Sequence, residues 1–361
     1  MSRKFISLRW EDVAEGAELP SFSYELSQLR LVAFVRATGL YDYIHFDRDY
    51  ARSVGARDAF ASNSHISGLL TRLLTDWAGP DSDVHAMTFN LRGQCCAGDV
   101  LRIGGKVGRK YRGQSGNCLV ELDELQVTAT SPDGTEAVAA TAVATMALPS
   151  REHGPVRPRA DMPGFGQPEK PEGLPEFASD LIGVKRSISY RCQPLAESEL
   201  HLWCEALEDW NPLYWDKSYA SASRHRGLVA PPLAQLYGAG SSGNIGVGYG
   251  KPGVEKPAAV TRGLTGIELL RELRKNITVS QAPVSLPDFP EIVIADSRIE
   301  CYRPFRIGDQ LRAEQTMLSC SSLKKTRLGE GYFISWLNAE INQADELVRT
   351  VSYNSFMYRM Q

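Results

Sequence analysis

Leu40-Tyr41-Asp42-Tyr43-Ile44-His45-Phe46-Asp47-Arg48-Asp49-Tyr50-Ala51 and Asp209-Trp210-Asn211-Pro212-Leu213-Tyr214-Trp215-Asp216-Lys217-Ser218-Tyr219-Ala220 align without a gap. Asp47 falls on Asp216, Tyr50 on Tyr219 and Ala51 on Ala220. Each segment follows an apolar-periodic stretch, Leu29 to Thr38 in the first and Leu200 to Leu207 in the second. Further along, Ala97-Gly98-Asp99-Val100-Leu101-Arg102 is similar to Ile307-Gly308-Asp309-Gln310-Leu311-Arg312. In both, Gly-Asp supplies a turn ahead of a strand. The period is far too long for a solenoid, so the chain reads as a duplicated domain. The shared elements lie further apart in the second half. The extra residues are expected between Ser242 and Pro290, a stretch rich in Gly and Pro.

The join falls between the copies. Pro149, Pro155, Pro158, Pro163, Pro168, Pro171 and Pro175 crowd one segment. Proline at this density opposes helix and sheet ladder alike, which predicts a stiff extended linker. The expected organisation is a first domain over 1–148, a linker over 149–180 and a second domain over 181–361. Ser64 to Trp77 carries leucines at 69, 70, 73 and 74, the pattern of a helix with a strongly apolar face. Strand-like runs follow at Val84–Leu91, Val100–Gly108, Cys118–Thr130 and Ala137–Ala147, with Asp133-Gly134 at the last hairpin. The second half repeats them at Ile292–Tyr302, Gln310–Ser319, Tyr332–Gln343 and Glu346–Arg359. One long helix followed by a long antiparallel meander implies an α+β layer. The predicted fold is a double hot-dog, two curved antiparallel sheets each wrapping a central helix.

Composition narrows the function classes. The chain has 361 residues, 43% hydrophobic and 23% charged, enough for a sizeable core. A net charge of -3 gives no reason to expect nucleic acid or an anionic membrane as partner. Met1-Ser2-Arg3-Lys4 leads into a polar stretch without an apolar h-region, so a cytoplasmic location is expected. Seven cysteines without regular spacing read as reduced, mostly buried thiols. No phosphate-binding loop or metal-ligand spacing is present, so no cofactor and no metal are expected. Gly246-Val247-Gly248-Tyr249-Gly250 lacks a strand–helix context and reads as a loop.

The repeated segment resembles the hydratase motif of the MaoC-like (R-specific) enoyl-CoA hydratases, Asp-x-Asn-Pro-x-His. Ala37 to Asp47 looks like a first copy and Glu208 to Tyr214 like a second. Leu73-Leu74-Thr75-Asp76-Trp77-Ala78-Gly79-Pro80 is similar to the catalytic chain of two-chain bacterial hydratases of steroid side-chain enoyl-CoAs. Gly227-Leu228-Val229-Ala230-Pro231-Pro232 and Tyr302 to Asp309 are similar to the partner chain, whose hot-dog is of the fungal fatty-acid-synthase dehydratase type. The resemblance implies a single-chain fusion of a catalytic and a supporting half, acting on an acyl-CoA or related small molecule. A homodimer is compatible with it. It also implies that an Asp and a His activate water. A backbone N–H at the start of the central helix would then stabilise the thioester oxygen, a place where helix donors and dipole favour negative charge.

Two departures stand out. The family's Asp position holds Leu40, although His45 is kept; the second copy keeps Asp209 but has Tyr214 at the His position. Three readings stay open. Asp42 takes over the acid/base role beside His45; or His45 works alone on a cyclisation, elimination or isomerisation of a non-CoA intermediate; or the protein binds an acyl thioester without turning it over. Thioester hydrolysis is a weaker fourth. The first reading makes the chain a lyase with His45, Asp42 and the Asn63 amide as its catalytic groups. Asn63 falls about where the family has its oxyanion glycine. Leu40, Ser62, Ser64, His65, Gly68, Asp209, Asn211, Tyr214 and Arg303 are the expected substrate-binding residues, and Leu40 predicts a bulky apolar acyl group. Plainer roles compete: Asp42, Asp47 and Asp216 as caps, His45 as a buried pin for its turn, His65 as a structural group. His85, His153, His201 and His225 belong to no constellation in the sequence.

Overall fold

Long runs of β-branched and small apolar residues, broken by Gly-Asp and Asp-Gly turns, set the sheet. The computed structural model describes residues 6–159, 167–170, 173–189, 193–236, 288–289 and 291–359. The first half supplies β1 (Phe22–Leu26), β2 (Asp83–Leu91), β3 (Asp99–Arg112), β4 (Cys118–Thr130) and β5 (Glu136–Leu148). The second supplies β6 (Lys185–Ser189), β7 (Glu291–Cys301), β8 (Arg312–Cys320), a two-residue β9 (Lys324–Lys325), β10 (Glu330–Ile341) and β11 (Leu347–Arg359). All are antiparallel to their neighbours in one continuous sheet, ordered β1-β3-β4-β5-β2-β7-β11-β10-β8-β6, with β9 on β10. Read from either end, the order is the same: β1 answers to β6, β3 to β8, β4 to β10, β5 to β11 and β2 to β7. The duplication therefore closes on itself where β2 meets β7, from Ala86 opposite Glu300 to Asn90 opposite Asp296. This is the double hot-dog fold.

The helices follow the same repeat. α1 (Gln28–Thr38), α2 (Arg48–Ser53) and α3 (Asn63–Ala78) belong to the first half. One turn, α4 (Glu176–Ser179), lies before β6, and α5 (Glu197–Leu207), α6 (Pro212–Trp215) and α7 (Lys217–Ala222) belong to the second. α3 is the central helix. Ser62 caps it, its hydroxyl accepting from the His65 N–H at 3.3 Å, and Gly79 ends it at φ 80°. Leu69, Leu70, Leu73 and Leu74 are all 1% exposed or less. Each is worth about 1.5–3 kcal/mol of burial. The counterpart of α3, and the long insertion expected over 242–290, fall almost wholly outside the described residues.

Two expectations need correction. The proline-rich stretch does hold helix: Pro175 sits at the N-cap of α4, where a missing N–H costs nothing. Its first part is also no free spacer. Arg157 and Asn117 exchange hydrogen bonds at 2.9 and 3.1 Å, and Arg159 donates to the His85 carbonyl at 3.0 Å. Gly68 is a packing residue. A Cβ there would come within 2.6 Å of Leu207 Cδ1 and 3.2 Å of Trp203 Cζ2, so its bareness lets α5 lie against α3. Among the described residues no helix is long and apolar enough to cross a membrane.

Candidate active site

The two motif loops are built alike. In the first, Asp42 caps a 3-10 turn (Tyr43–His45), its carboxylate accepting from the Ile44 N–H at 3.4 Å. Asp47 then caps α2, accepting from Tyr50 at 2.9 Å. In the second, Asn211 caps α6 through Leu213 at 3.1 Å, and Asp216 caps α7 through Tyr219 at 3.0 Å. The strands behind them match too. Phe60 N–H donates to Ile44 O at 3.2 Å, as Val229 does to Leu213 at 3.3 Å. Ala61 donates to Cys95 and Ala230 to Phe305, both at 2.8 Å. Carried onward in register, Ser62-Asn63 corresponds to Pro231-Pro232. The fold therefore presents two related loops, one carrying His45 and one carrying Tyr214.

His45 is buried, 8% exposed. Its Nδ1 lies 2.8 Å from the Phe60 carbonyl, which can only accept, so Nδ1 carries the proton. The neutral ring then leaves Nε2 as a free base, with no hydrogen-bond partner among the described residues. Burial holds the His45 pKa below its ordinary value, against the Phe60 hydrogen bond and the Asp42 charge, which pull it up. Asp42 thus acts on His45 through its charge while its oxygen caps the turn. Leu40 is half-buried and donates its N–H to Thr38 Oγ1 at 3.3 Å. α3 starts nearby, two residues after Ala61. The Asn63 and Ser64 N–H groups have no acceptor among the described residues, and Ser62 and Ser64 pair their hydroxyls at 3.0 Å.

His65 points away into the packing between α1 and α5. Tyr24 OH donates to Ala206 O at 2.6 Å and receives His65 Nε2 at 3.2 Å, and the imidazole stacks on Phe34 at 4.2 Å. Burial, then the charges of His45 and Arg30, hold its pKa down to about 3. Asp209 is likewise interior, accepting from the Asn211 N–H at 3.2 Å. Burial, then the neighbouring Asp76, push its pKa up to about 7. His65, Gly68 and Asp209 were expected to contact substrate; the structure buries His65 and Asp209 among core groups and packs Gly68, for its lack of a side chain, against Leu207 and Trp203.

Asn211, Tyr214 and Arg303 line a small cavity of about 70 Å³ between the halves. Thr75 and Pro80, at the far end of α3, contribute to it. A helix of 16 residues is about 24 Å long, so the cavity and His45 lie toward opposite ends of α3. Ser82, Asp83, His85, Arg159, His225 and Tyr302 add further polar groups to the lining. No local spacing marks this group in the chain, because its members come from separate segments on either side of the β2–β7 join.

The family model FAS1-like, dehydratase domain region, matches residues 181–252. The chain is 30% identical over 157 residues to a Thermomonospora curvata protein named "Probable enoyl-CoA hydratase alpha subunit", covering 44% of this chain and 43% of that one. It is 32% identical over 92 residues to the 3-oxo-4,17-pregnadiene-20-carboxyl-CoA hydratase beta subunit of Mycobacterium tuberculosis, covering 26% of this chain and 71% of that one. The chain belongs to the MaoC-like hydratase/dehydratase family. A solved MaoC-like dehydratase shares its fold, with a TM-score of 0.58 at 14% identity over 96% of this chain and 98% of that one. The chain spans less than half the length of the Thermomonospora relative.

In this MaoC-like chain the motif's His and Asp are divided between the halves, His45 in one and Asp209 in the other. The buried histidines His65 and His225 on one side and the buried Asp209 on the other pull stability in opposite directions as pH changes. His65 and His225 are held to about 3 and about 4, both by burial first. The unfolded chain therefore takes up their protons first, and their share of stability is lost as pH falls below the ordinary 6.5. Asp209, raised from 3.8 to about 7, contributes fully below its unfolded value and loses that share as pH rises through 7. Asp209→Asn is therefore expected to favour stability more at pH 8 than at pH 5. Thermal melts of both proteins at the two pH values check this, and an equal change at both would contradict it.

Proposed function

We propose that the chain is a hydro-lyase that adds water to an enoyl-CoA, or removes it from a 3-hydroxyacyl-CoA, at the His45 site. The observation that carries this reading is the Nδ1–Phe60 hydrogen bond, which leaves His45 Nε2 as a free base near the unpaired donors that start α3. In the hydration direction, Nε2 takes a proton as the water oxygen bonds to the β-carbon of the enoyl thioester. The thioester oxygen gains negative charge, and the Asn63 and Ser64 N–H groups receive it at the positive end of α3. The imidazolium then returns its proton to the α-carbon, so atoms and charge balance. The Asp42 charge favours the imidazolium while it lasts, in partial replacement of the acid absent at Leu40.

We infer that the acyl group is bulky and apolar. Leu40 puts an aliphatic side chain where the motif has a carboxylate, and the M. tuberculosis relative is named for a 3-oxo-4,17-pregnadiene-20-carboxyl-CoA. The second half supports rather than catalyses in this reading. Tyr214 replaces the base, and Pro232 has no N–H to offer.

Asn63→Pro tests the donor role. Proline is tolerated at the first helical position, and Ser62, at φ -73° and ψ 165°, already has the backbone that precedes proline. Loss of this single N–H is expected to lower kcat by roughly 10²–10³-fold while the melting temperature holds. A kcat within threefold of the unsubstituted protein would remove Asn63 from the mechanism.

A further inference from the structure

The cavity between the halves is lined by three charged side chains, and each has a partner. Asp83 receives two bonds from Arg224, one of them at 2.9 Å. Arg303 pairs with Glu346 at 3.4 Å. Arg159 donates to His85 O at 3.0 Å and stands 3.8 Å from Glu300. The lining therefore has no unpaired charge to offer an ion. Its hydroxyls are committed as well. Thr75 donates to Thr71 O at 3.1 Å, Ser82 to Gly79 O at 2.6 Å and Tyr302 to Glu300 at 2.9 Å. Tyr214, kept protonated by burial, bonds to Thr75.

Two polar groups on the lining differ. His225 is 6% exposed. Its backbone N–H donates to Ser223 Oγ at 3.1 Å and its carbonyl accepts from Arg306, but neither ring nitrogen has a hydrogen-bond partner among the described residues. Burial, then Arg224, hold its pKa down to about 4, so near pH 7 the neutral ring offers one donor and one acceptor. Asn211 is 2% exposed. Its Oδ1 accepts from the Leu213 N–H at 3.1 Å, which fixes the orientation of the amide; its Nδ2 has no partner among the described residues. Buried polar groups are nearly always bonded, so both point to a guest in the cavity.

We infer that this cavity binds a short neutral alcohol, at a site separate from His45. A hydroxyl accepts from Asn211 Nδ2 and donates to the acceptor nitrogen of His225, the bonds those groups lack. Val84, Leu213, Val229 and Ala230 take the alkyl part. A volume of about 70 Å³ limits the ligand to a few heavy atoms. Ions of either sign are disfavoured: a carboxylate would face Asp83, an ammonium would face Arg159 and Arg303, and all three are already paired. The site holds its ligand without hydrating it, and it stands whether or not the His45 site turns over.

NMR titration of the full chain, read at the His225 imidazole and at the Val229 and Ala230 methyls, tests the inference. The probes are 1-butanol, diethyl ether, butyrate and butylammonium. 1-Butanol is expected to bind saturably and to shift the His225 ring signals. Diethyl ether has the same atoms but no O–H, and is expected to bind about fivefold or more weakly, the worth of one hydrogen bond. The two ions are expected to bind at least about tenfold more weakly than the alcohol. His225→Leu is expected to abolish the preference for alcohol over ether, and His225→Gln, which keeps a donor and an acceptor, to retain it. His45→Ala is expected to leave every affinity unchanged. A cavity that takes up water alone, so that no probe gives a saturable shift, would overturn the inference. So would ether or either ion binding as tightly as the alcohol, a preference that survives His225→Leu, or loss of alcohol binding in His45→Ala. The probe series decides by itself if His225→Leu fails to fold.

Discussion

His45→Ala is expected to lower kcat/KM for enoyl-thioester hydration by roughly 10²–10⁴-fold, the usual worth of a general base. The loss should fall on kcat, because Nε2 acts on the water and the α-carbon and not on the body of the substrate. Folding is a poor explanation for so large a change: the hydrogen bond to Phe60 is worth about 0.5–1.5 kcal/mol of stability. The pH profile gives a second readout. His45 must be neutral to act as base, and burial holds its pKa below the ordinary 6.5. Activity should therefore rise with pH through that depressed value and stay level from there to neutrality. A rate limb centred above 6.5 would assign the base to another group.

Arg349→Met is expected to destabilise the fold by about 3–5 kcal/mol, because it leaves a charge buried alone. The side chains of Arg349 and Glu340 are 3% and 1% exposed, on neighbouring strands β11 and β10. Arg349 Nε donates to Glu340, and its Nη1 donates to the Ala234 carbonyl at 2.6 Å. That last bond ties the sheet to the chain just beyond Pro231-Pro232. Glu340 Oε1 already lacks a hydrogen-bond partner among the described residues, so no slack exists to absorb the loss. Replacing both residues, as Glu340→Leu with Arg349→Met, should recover most of the stability, since the burial of charge is then removed altogether. Urea unfolding at pH 7 measures both. A single-variant loss below about 1 kcal/mol, within the range of exposed ion pairs, would show that water reaches the pair.

The fold was legible because the repeat aligned without a gap and the strands ended on strong turn signals. β4 was expected over Cys118–Thr130 and runs over those residues. α3 extends the expected helix by one residue at each end, since Ser62 and Gly79 supply its caps. Less was legible at the sites. A histidine early in α3 can face a ligand or the interior, and only packing against Tyr24 and Phe34 decides for His65. Asp209 sits in a motif that elsewhere holds a working carboxylate, yet burial beside Asp76 makes it a group of the core. The cavity was illegible for a different reason. His85, Arg159, His225 and Tyr302 come from separate parts of the chain and meet only because β2 pairs with β7. Long-range sheet pairing leaves no local spacing to read.

The central claim is that this chain adds water across an enoyl thioester. Incubating the purified full chain with short, medium, aromatic and steroid enoyl-CoAs, and following enoyl absorbance together with product mass, tests it most directly. The account predicts loss of absorbance with gain of one water and no free thiol, strongest for the bulky apolar members. Folded protein that hydrates no member of the panel, or that releases free CoA thiol instead, would contradict it.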